Sequence, residues 1–233
     1  MKKSLLLLPV LVIGLTLSGL AQIIPSNLEI GNALKQALQQ GAVKSATKLS
    51  AVNGFFGDAA VKILLPPEAA KAERTLRKMG LNKVCDDAIL SLNRAAEDAA
   101  KQAAPIFVDA IKKMTLKDVT DILLAQQQDA ATQYFKRSTT NDLTAKFQHV
   151  IKVSLDKVNA TRYYGTLADT YNKIPFVRKV NPDIANYTTQ KAIEGLFIEI
   201  AAQEVEIRKN LGGTRTTPLL KKVFDFADKN IQQ

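Results

Sequence analysis

The chain has 233 residues, and 32 Lys and Arg against 22 Asp and Glu give it a formal charge of +10. A single cysteine excludes an intrachain disulfide, and a single histidine leaves little for a metal centre, which needs several suitable ligands. Tryptophan is absent and aromatic residues are sparse, a poor start for a surface that stacks bases or sugars.

The first 21 residues read as an export signal. Lys2 and Lys3 form a charged start, Leu5–Leu17 is almost wholly apolar, and Ser18, Gly19 and Ala21 are small enough for cleavage after Ala21. The apolar run is short for a membrane span. No cysteine stands near the cleavage point to carry a lipid. Loss of Lys2 and Lys3 takes the formal charge from +10 to +8. Such a charge favours acidic partners only as a non-specific bias. The expected location is the periplasm or another exported cell-envelope space, which argues against a nucleic-acid partner. The remaining residues, 22–233, are long enough for one helical domain, compact or two-lobed.

Pro25–Asn27 marks a helix start, and Leu28, Leu34, Leu38, Val43 and Leu49 continue it, with a break expected at Gly41. Asn53–Gly57, NGFFG, is a turn whose two phenylalanines are expected to plug the core. Asp58 opens a short apolar run that Pro66–Pro67 ends. PPEAAKAERTLRKMG then reads as a helix closed by Gly80, with Arg74, Arg77 and Lys78 in solvent.

Leu81–Leu124 carries the longest helical stripe. Leu81, Val84, Ala88, Leu92, Ala95, Ala99, Ala103, Ile106, Ala110 and Met114 recur at steps of three and four, and Cys85, Ile89, Ala96, Phe107 and Ile111 widen the stripe. Pro105 is expected to bend or divide it, and Thr115 with Asp118 to cap a short helix after it. Cys85 reads as a buried thiol. Glu97–Lys101 and Asp109–Lys113 have the spacing of helical ion pairs.

Ala130–Arg137 resumes the helical pattern, Ser138–Asn141 reads as a boundary, and Leu143, Phe147, Val150, Ile151, Leu155 and Val158 form the next stripe. His149 lies beside that stripe and reads as a surface residue. TRYYG at 161–165 is expected to break the chain before a helix that ends near Ile174–Pro175. Pro175 and Pro182 bracket a link. Asp183–Asn210 is the last long helix, and Thr217–Pro218 caps a terminal one. No run of alternating strands occurs. The fold class is therefore all-α: an irregular multi-helix bundle without a significant β-sheet.

Two polar constellations stand out. Asn93, Arg94, Glu97 and Asp98 lie on adjacent faces of one helix, with Asp109 across the Pro105 bend. Arg94 offers a donor fork for a carboxylate or phosphate, and the competing reading is a network that pins helices. The second group is Arg162, Tyr163, Tyr164, Tyr171, Phe176 and Arg178. Its aromatics suit the body of an amphipathic anion and its arginines the charged end, against a competing reading of ordinary packing. No metal, phosphate-loop or serine-nucleophile motif occurs, and no cofactor is implied.

Six stretches together resemble the bacterial family called domain of unknown function 4197. They are TLRKMGL at 75–81, SLNRAAEDAA at 91–100, PIFVDAIKKMT at 105–115, TRYYG at 161–165, TQKAIEGLF at 189–197 and TTPLLKKVF at 216–224. The resemblance implies an exported, mainly helical domain and brings no catalytic residues with it. Gly165 departs from the family pattern, which has a less flexible, often acidic residue there. The expected function is binding of an amphipathic anionic small molecule or lipid. The alternative is a cell-envelope protein-interaction or scaffold domain, with peripheral membrane contact. A non-enzymatic protein is favoured over a hydrolase.

Overall fold

The structure is a computed structural model that describes residues 24–157, 159–172, 175–176, 179–181 and 183–231. The side chains of Arg162, Tyr163, Thr166, Leu167, Thr170, Tyr171 and Ile231 are outside that description. So are the signal-peptide reading of 1–21 and the residues Val158, Ile174, Arg178 and Pro182.

The described residues form an all-α, irregular bundle without a significant sheet. The helices are α1 (Asn27–Ser50), α2 (Ala70–Lys78), α3 (Asn82–Ala100), α4 (Ala103–Lys113) and α5 (Leu116–Leu123). They continue with α6 (Ala130–Lys157), α7 (Ala160–Asn172), α8 (Ile184–Arg208) and α9 (Pro218–Ile231). Helices α1, α3, α6 and α8 pack around the centre, and α4 enters between α1 and α6. Phe107 of α4 meets Phe135 of α6 edge-on, with centroids 5.1 Å apart. Ala95, Ala96, Ala99, Ala100 and Ala103 are all buried. Small side chains there let the α3 backbone approach its neighbours.

The caps fall where their residues are written. Ser26 accepts from the Glu29 amide at 3.2 Å, and the Glu29 carboxylate accepts from the Ser26 amide at 2.8 Å. Thr115 and Asp118 repeat that exchange at α5. Asp183 accepts from the Asn186 amide at the start of α8, and Thr217 from the Leu220 amide at the start of α9. The stripe divides at Lys101–Gln102, before Pro105. Pro105 occupies the first turn of α4, where an amide would have no helical partner anyway.

Four expectations are corrected. α1 runs unbroken through Gly41, which is buried in the helix and has room for ordinary contact with Ile207 and Gln203 of α8. The boundary expected at Ser138–Asn141 is absent. Ser138, Thr139 and Thr140 donate their hydroxyls to the carbonyls of Tyr134, Phe135 and Lys136, so α6 absorbs them. The break expected at TRYYG lies earlier, at Asn159, whose φ is +55°, and Gly165 sits inside α7. The helical pairs also differ. Glu97 takes Arg94, and Lys101 takes Asp98 at 2.6 Å. Asp109 takes Lys112 rather than Lys113.

The Glu29 carboxylate also accepts from Lys222 of α9 at 2.7 Å. That bond, with the Ser26 donors, holds its pKa down from 4.5 to about 2. A folded pKa below the unfolded one stabilises the native state above the unfolded value. The contribution is lost as pH falls from 4.5 towards 2. The Glu29→Gln variant is therefore expected to show a smaller fall in Tm between those pH values than the unchanged chain, as read by circular dichroism.

Candidate functional site

The Asn93–Glu97 constellation is where the chain from 53 to 63 is fastened. Asn93 is fully buried and reads Ile63 as a strand would: its Oδ1 accepts from the Ile63 amide at 2.9 Å, and its Nδ2 donates to the Ile63 carbonyl at 2.8 Å. A third bond, from Nδ2 to the Ile89 carbonyl, ties the amide to its own helix. One turn on, Glu97 Oε1 accepts from the amides of Phe55 and Phe56 at 3.2 and 3.3 Å. Its other oxygen accepts from Arg94 Nη1 at 2.5 Å, and Arg94 Nη2 donates to Asn53 Oδ1 at 2.8 Å. A buried carboxylate is costly unless its oxygens find donors, and both oxygens of Glu97 do. Asn53 takes a φ of +67°, as asparagine tolerates.

Three glycines make the fit. A side chain on Gly54 would lie 2.4 Å from the Lys48 carbonyl oxygen, and one on Gly57 2.8 Å from that of Asn53. A side chain on Gly195 of α8 would lie 2.8 Å from the Phe55 ring, so that glycine is the notch that receives it. Phe55 is fully buried, as core plugging requires. Phe56 is half-buried, with Lys62 Nζ 3.9 Å from its ring centroid. On the outer side Lys48 bonds Glu199 at 2.7 Å and Asp58 at 3.1 Å, which raises the Lys48 pKa through the Glu199 bond. An open hollow of about 530 Å³ lies over this turn, lined by Lys48, Val52, Asn53 and Asp58.

Asp109 does not join this group. It is exposed, and among the described residues no hydrogen bond or ion pair links it to Asn93, Arg94 or Glu97. Asp98 faces away as well, to Lys101 and Ser154.

The second constellation is only partly described. Arg162, Tyr163 and Tyr171 lie on α7. Tyr164 is buried, its hydroxyl has no partner among the described residues, and burial pushes its pKa up to about 12. Phe176 is fully exposed with a φ of +62°. The two aromatics that are described therefore do not share one environment.

Two further clamps were not singled out from sequence. Glu204, buried on α8, accepts from the amides of Ala131 and Thr132 at 2.9 Å each and so caps α6 from outside. Arg208 pairs with Glu204 at 2.9 Å and donates to the Ile122 carbonyl at 2.8 Å. Arg215, 3% exposed, donates to the carbonyls of Ile207 and Arg208, pairs with Asp225 and Asp228, and lies over the Phe224 ring. The i,i+4 spacing of Glu204 and Arg208 was the visible signal.

Cys85 is buried, and that burial raises its pKa, which disfavours the reactive thiolate. His149 is exposed on α6. Among the described residues no three His, Cys, Asp or Glu side chains stand close enough to hold a metal ion.

Apart from Asp228, these landmarks lie inside one family match. The family described as Protein of unknown function (DUF4197) matches residues 25–225. The chain belongs to the DUF4197 family. No curated protein and no solved structure matches it.

Removing the Glu97 carboxylate leaves two amides and Arg94 without their acceptor. Glu97→Ala is expected to lower unfolding free energy by about 2–4 kcal/mol in urea titrations, whereas Asp109→Ala is expected to stay within about 0.5 kcal/mol of the unchanged chain. Gly195→Ala is expected to cost about 1–3 kcal/mol by displacing Phe55 from its notch, on the same measurement.

Proposed function

We propose that residues 22–233 form a non-catalytic interaction domain of the cell envelope, exported by the segment 1–21. The observation that carries this reading is the use made of the polar side chains. Asn93 and Glu97 fasten the 53–63 segment, Glu204 caps α6, and Arg215 joins α8 to α9. Groups spent on the chain's own backbone hold shape; they are not presented to a substrate. Recognition is then a task for the surface. The described helices contain none long and apolar enough to cross a membrane.

A second reading keeps one specific observation. The Tyr164 hydroxyl, without a partner among the described residues, would suit an amphipathic anion bound beside α7. Arg162 or Arg178 would meet its charged end, and Tyr163, Tyr171 and Phe176 its apolar body. Asn93, Arg94 and Glu97 would then act by holding the fold.

Native mass spectrometry of the protein released intact from the envelope fraction separates the two. The interaction reading expects the chain in a reproducible assembly, with protein or with phospholipid, and without a bound small organic molecule. A bare monomer that also stays in the soluble fraction would overturn it. A stoichiometric small ligand, lost on Tyr164→Phe, would establish the second reading instead.

A further inference from the structure

The sequence stripe assigns Leu81 and Val84 to the core, and the structure leaves them outside it. Leu81 is 40% exposed, Val84 52% and the neighbouring Met79 69%. All three stand at the tip of the α2–α3 hairpin. The tip is a hydrogen-bonded turn. Gly80 takes a φ of +82°, its amide donates to the Arg77 carbonyl at 3.0 Å, and the Leu81 amide reaches back to the Leu76 carbonyl at 3.0 Å. That pair of bonds closes α2 in the left-handed manner that suits glycine. Arg77 locks the hairpin from the side, bonding Glu73 and Asp86 at 2.9 Å each. Behind the tip Cys85 and Ile89 are buried, with the Cys85 thiol 3.9 Å from the Glu73 carbonyl of α2, so residues other than the exposed three close the hairpin.

The outer face of α2 is basic. Lys71, Arg74 and Lys78 recur at steps of three and four, which puts them on one side of the helix. All three are exposed and make no ion pair among the described residues. Of the nearby acids, Glu73 and Asp86 bond Arg77 and Asp87 bonds Lys83 at 2.7 Å, while Glu68, just before α2, makes no ion pair among the described residues. Unpaired cations therefore flank an apolar tip.

We propose that the α2–α3 hairpin tip docks on the surface of an anionic phospholipid bilayer, with Met79, Leu81 and Val84 entering the headgroup–acyl boundary and Lys71, Arg74 and Lys78 meeting the lipid phosphates. This deepens the interaction-domain reading and rests on it. The charge pattern selects the occupant. Three apolar side chains fall far short of the roughly 800 Å² per partner of a stable protein interface. A membrane surface needs less: a few apolar side chains and several basic ones act as two weak signals that together retain a protein.

The test is co-sedimentation of the chain from Gln22 onward, which holds every described helix, with vesicles of phosphatidylcholine alone or with one-quarter phosphatidylglycerol. Binding to the anionic vesicles is expected to be about tenfold or more tighter than to the neutral ones and to weaken in high salt. Met79→Ser/Leu81→Ser/Val84→Ser and Lys71→Gln/Arg74→Gln/Lys78→Gln are each expected to weaken it about tenfold, with unchanged circular dichroism because all six residues are exposed. No sedimentation with anionic vesicles overturns the proposal, as does binding that both variants retain in full or that neutral vesicles support equally. Should one variant unfold, the other decides alone. A protein complex in the envelope fraction, without vesicle binding, would end the lipid proposal while leaving the interaction reading standing.

Discussion

The buried carboxylate of Glu97 is the constraint around which the first half of the chain is arranged. A carboxylate without partners in such a place costs several kcal/mol. Here two backbone amides and an arginine supply what water would. Those amides come from Phe55 and Phe56, more than forty residues upstream, so the carboxylate is satisfied only if the turn arrives in one position. Once the turn is there, Phe55 can enter only where α8 has no side chain, at Gly195. Asn93 then fixes the chain that leaves the turn, through both hydrogen-bonding groups of Ile63. A polar anchor, an apolar plug and a missing side chain thus form one device joining the turn to two helices.

The same logic recurs at the other end of the bundle. The first amides of a helix have no internal acceptors, and α6 finds two of its acceptors in a glutamate of α8. The last carbonyls of α8 find a donor in Arg215, whose charge is then balanced by two aspartates of α9. Helix ends are the expensive parts of an all-helical protein, and at these two the closing side chains come from outside the helix being closed, from Glu204 of α8 and from Arg215 in the link before α9. That binds the order of packing to the order of capping: α6 is properly capped only when α8 is seated, and α9 holds α8 in turn.

How much of this was readable in advance follows from the range of each interaction. Ser26, Thr115, Asp183 and Thr217 cap helices through residues three positions away, so their roles are written locally. The closure at Gly80 is equally local. Ser138–Thr140 misleads because the same hydroxyls that favour boundaries can return to the carbonyl four residues back and leave a helix intact. Asn159, a lone residue with positive φ, was overshadowed by the glycine of TRYYG. The 93–97 group was visible as a constellation, but whether it faced a ligand or the chain itself depended on where residues 53–63 return. Leu81 and Val84 fit the period of the core stripe and still lie outside it, because periodicity names a face of a helix and not how far along that face the neighbouring helices extend. The aromatic group on α7 and in the following link divides because sequence spacing does not fix depth: Tyr164 lies inside and Phe176 outside.

Charge is distributed with the same inward bias. Glu97, Glu199 and Glu204 are buried, whereas Arg215 is the only buried basic residue among those described. The cations that answer two of these acids, Arg94 and Lys48, keep their outer parts in solvent. Acids are thus drawn into the clamps while most bases remain at the surface, and the surface is more cationic than an even mixing of the same residues would make it. Such a field acts at long range and without specificity. It raises the concentration of the chain near any anionic surface, but it chooses neither an orientation nor a point of contact. A tip that combines exposed apolar side chains with cations that make no ion pair among the described residues would supply both. The clamps that absorb the acids and the hairpin that exposes the bases are, on this view, two consequences of one partition of charge.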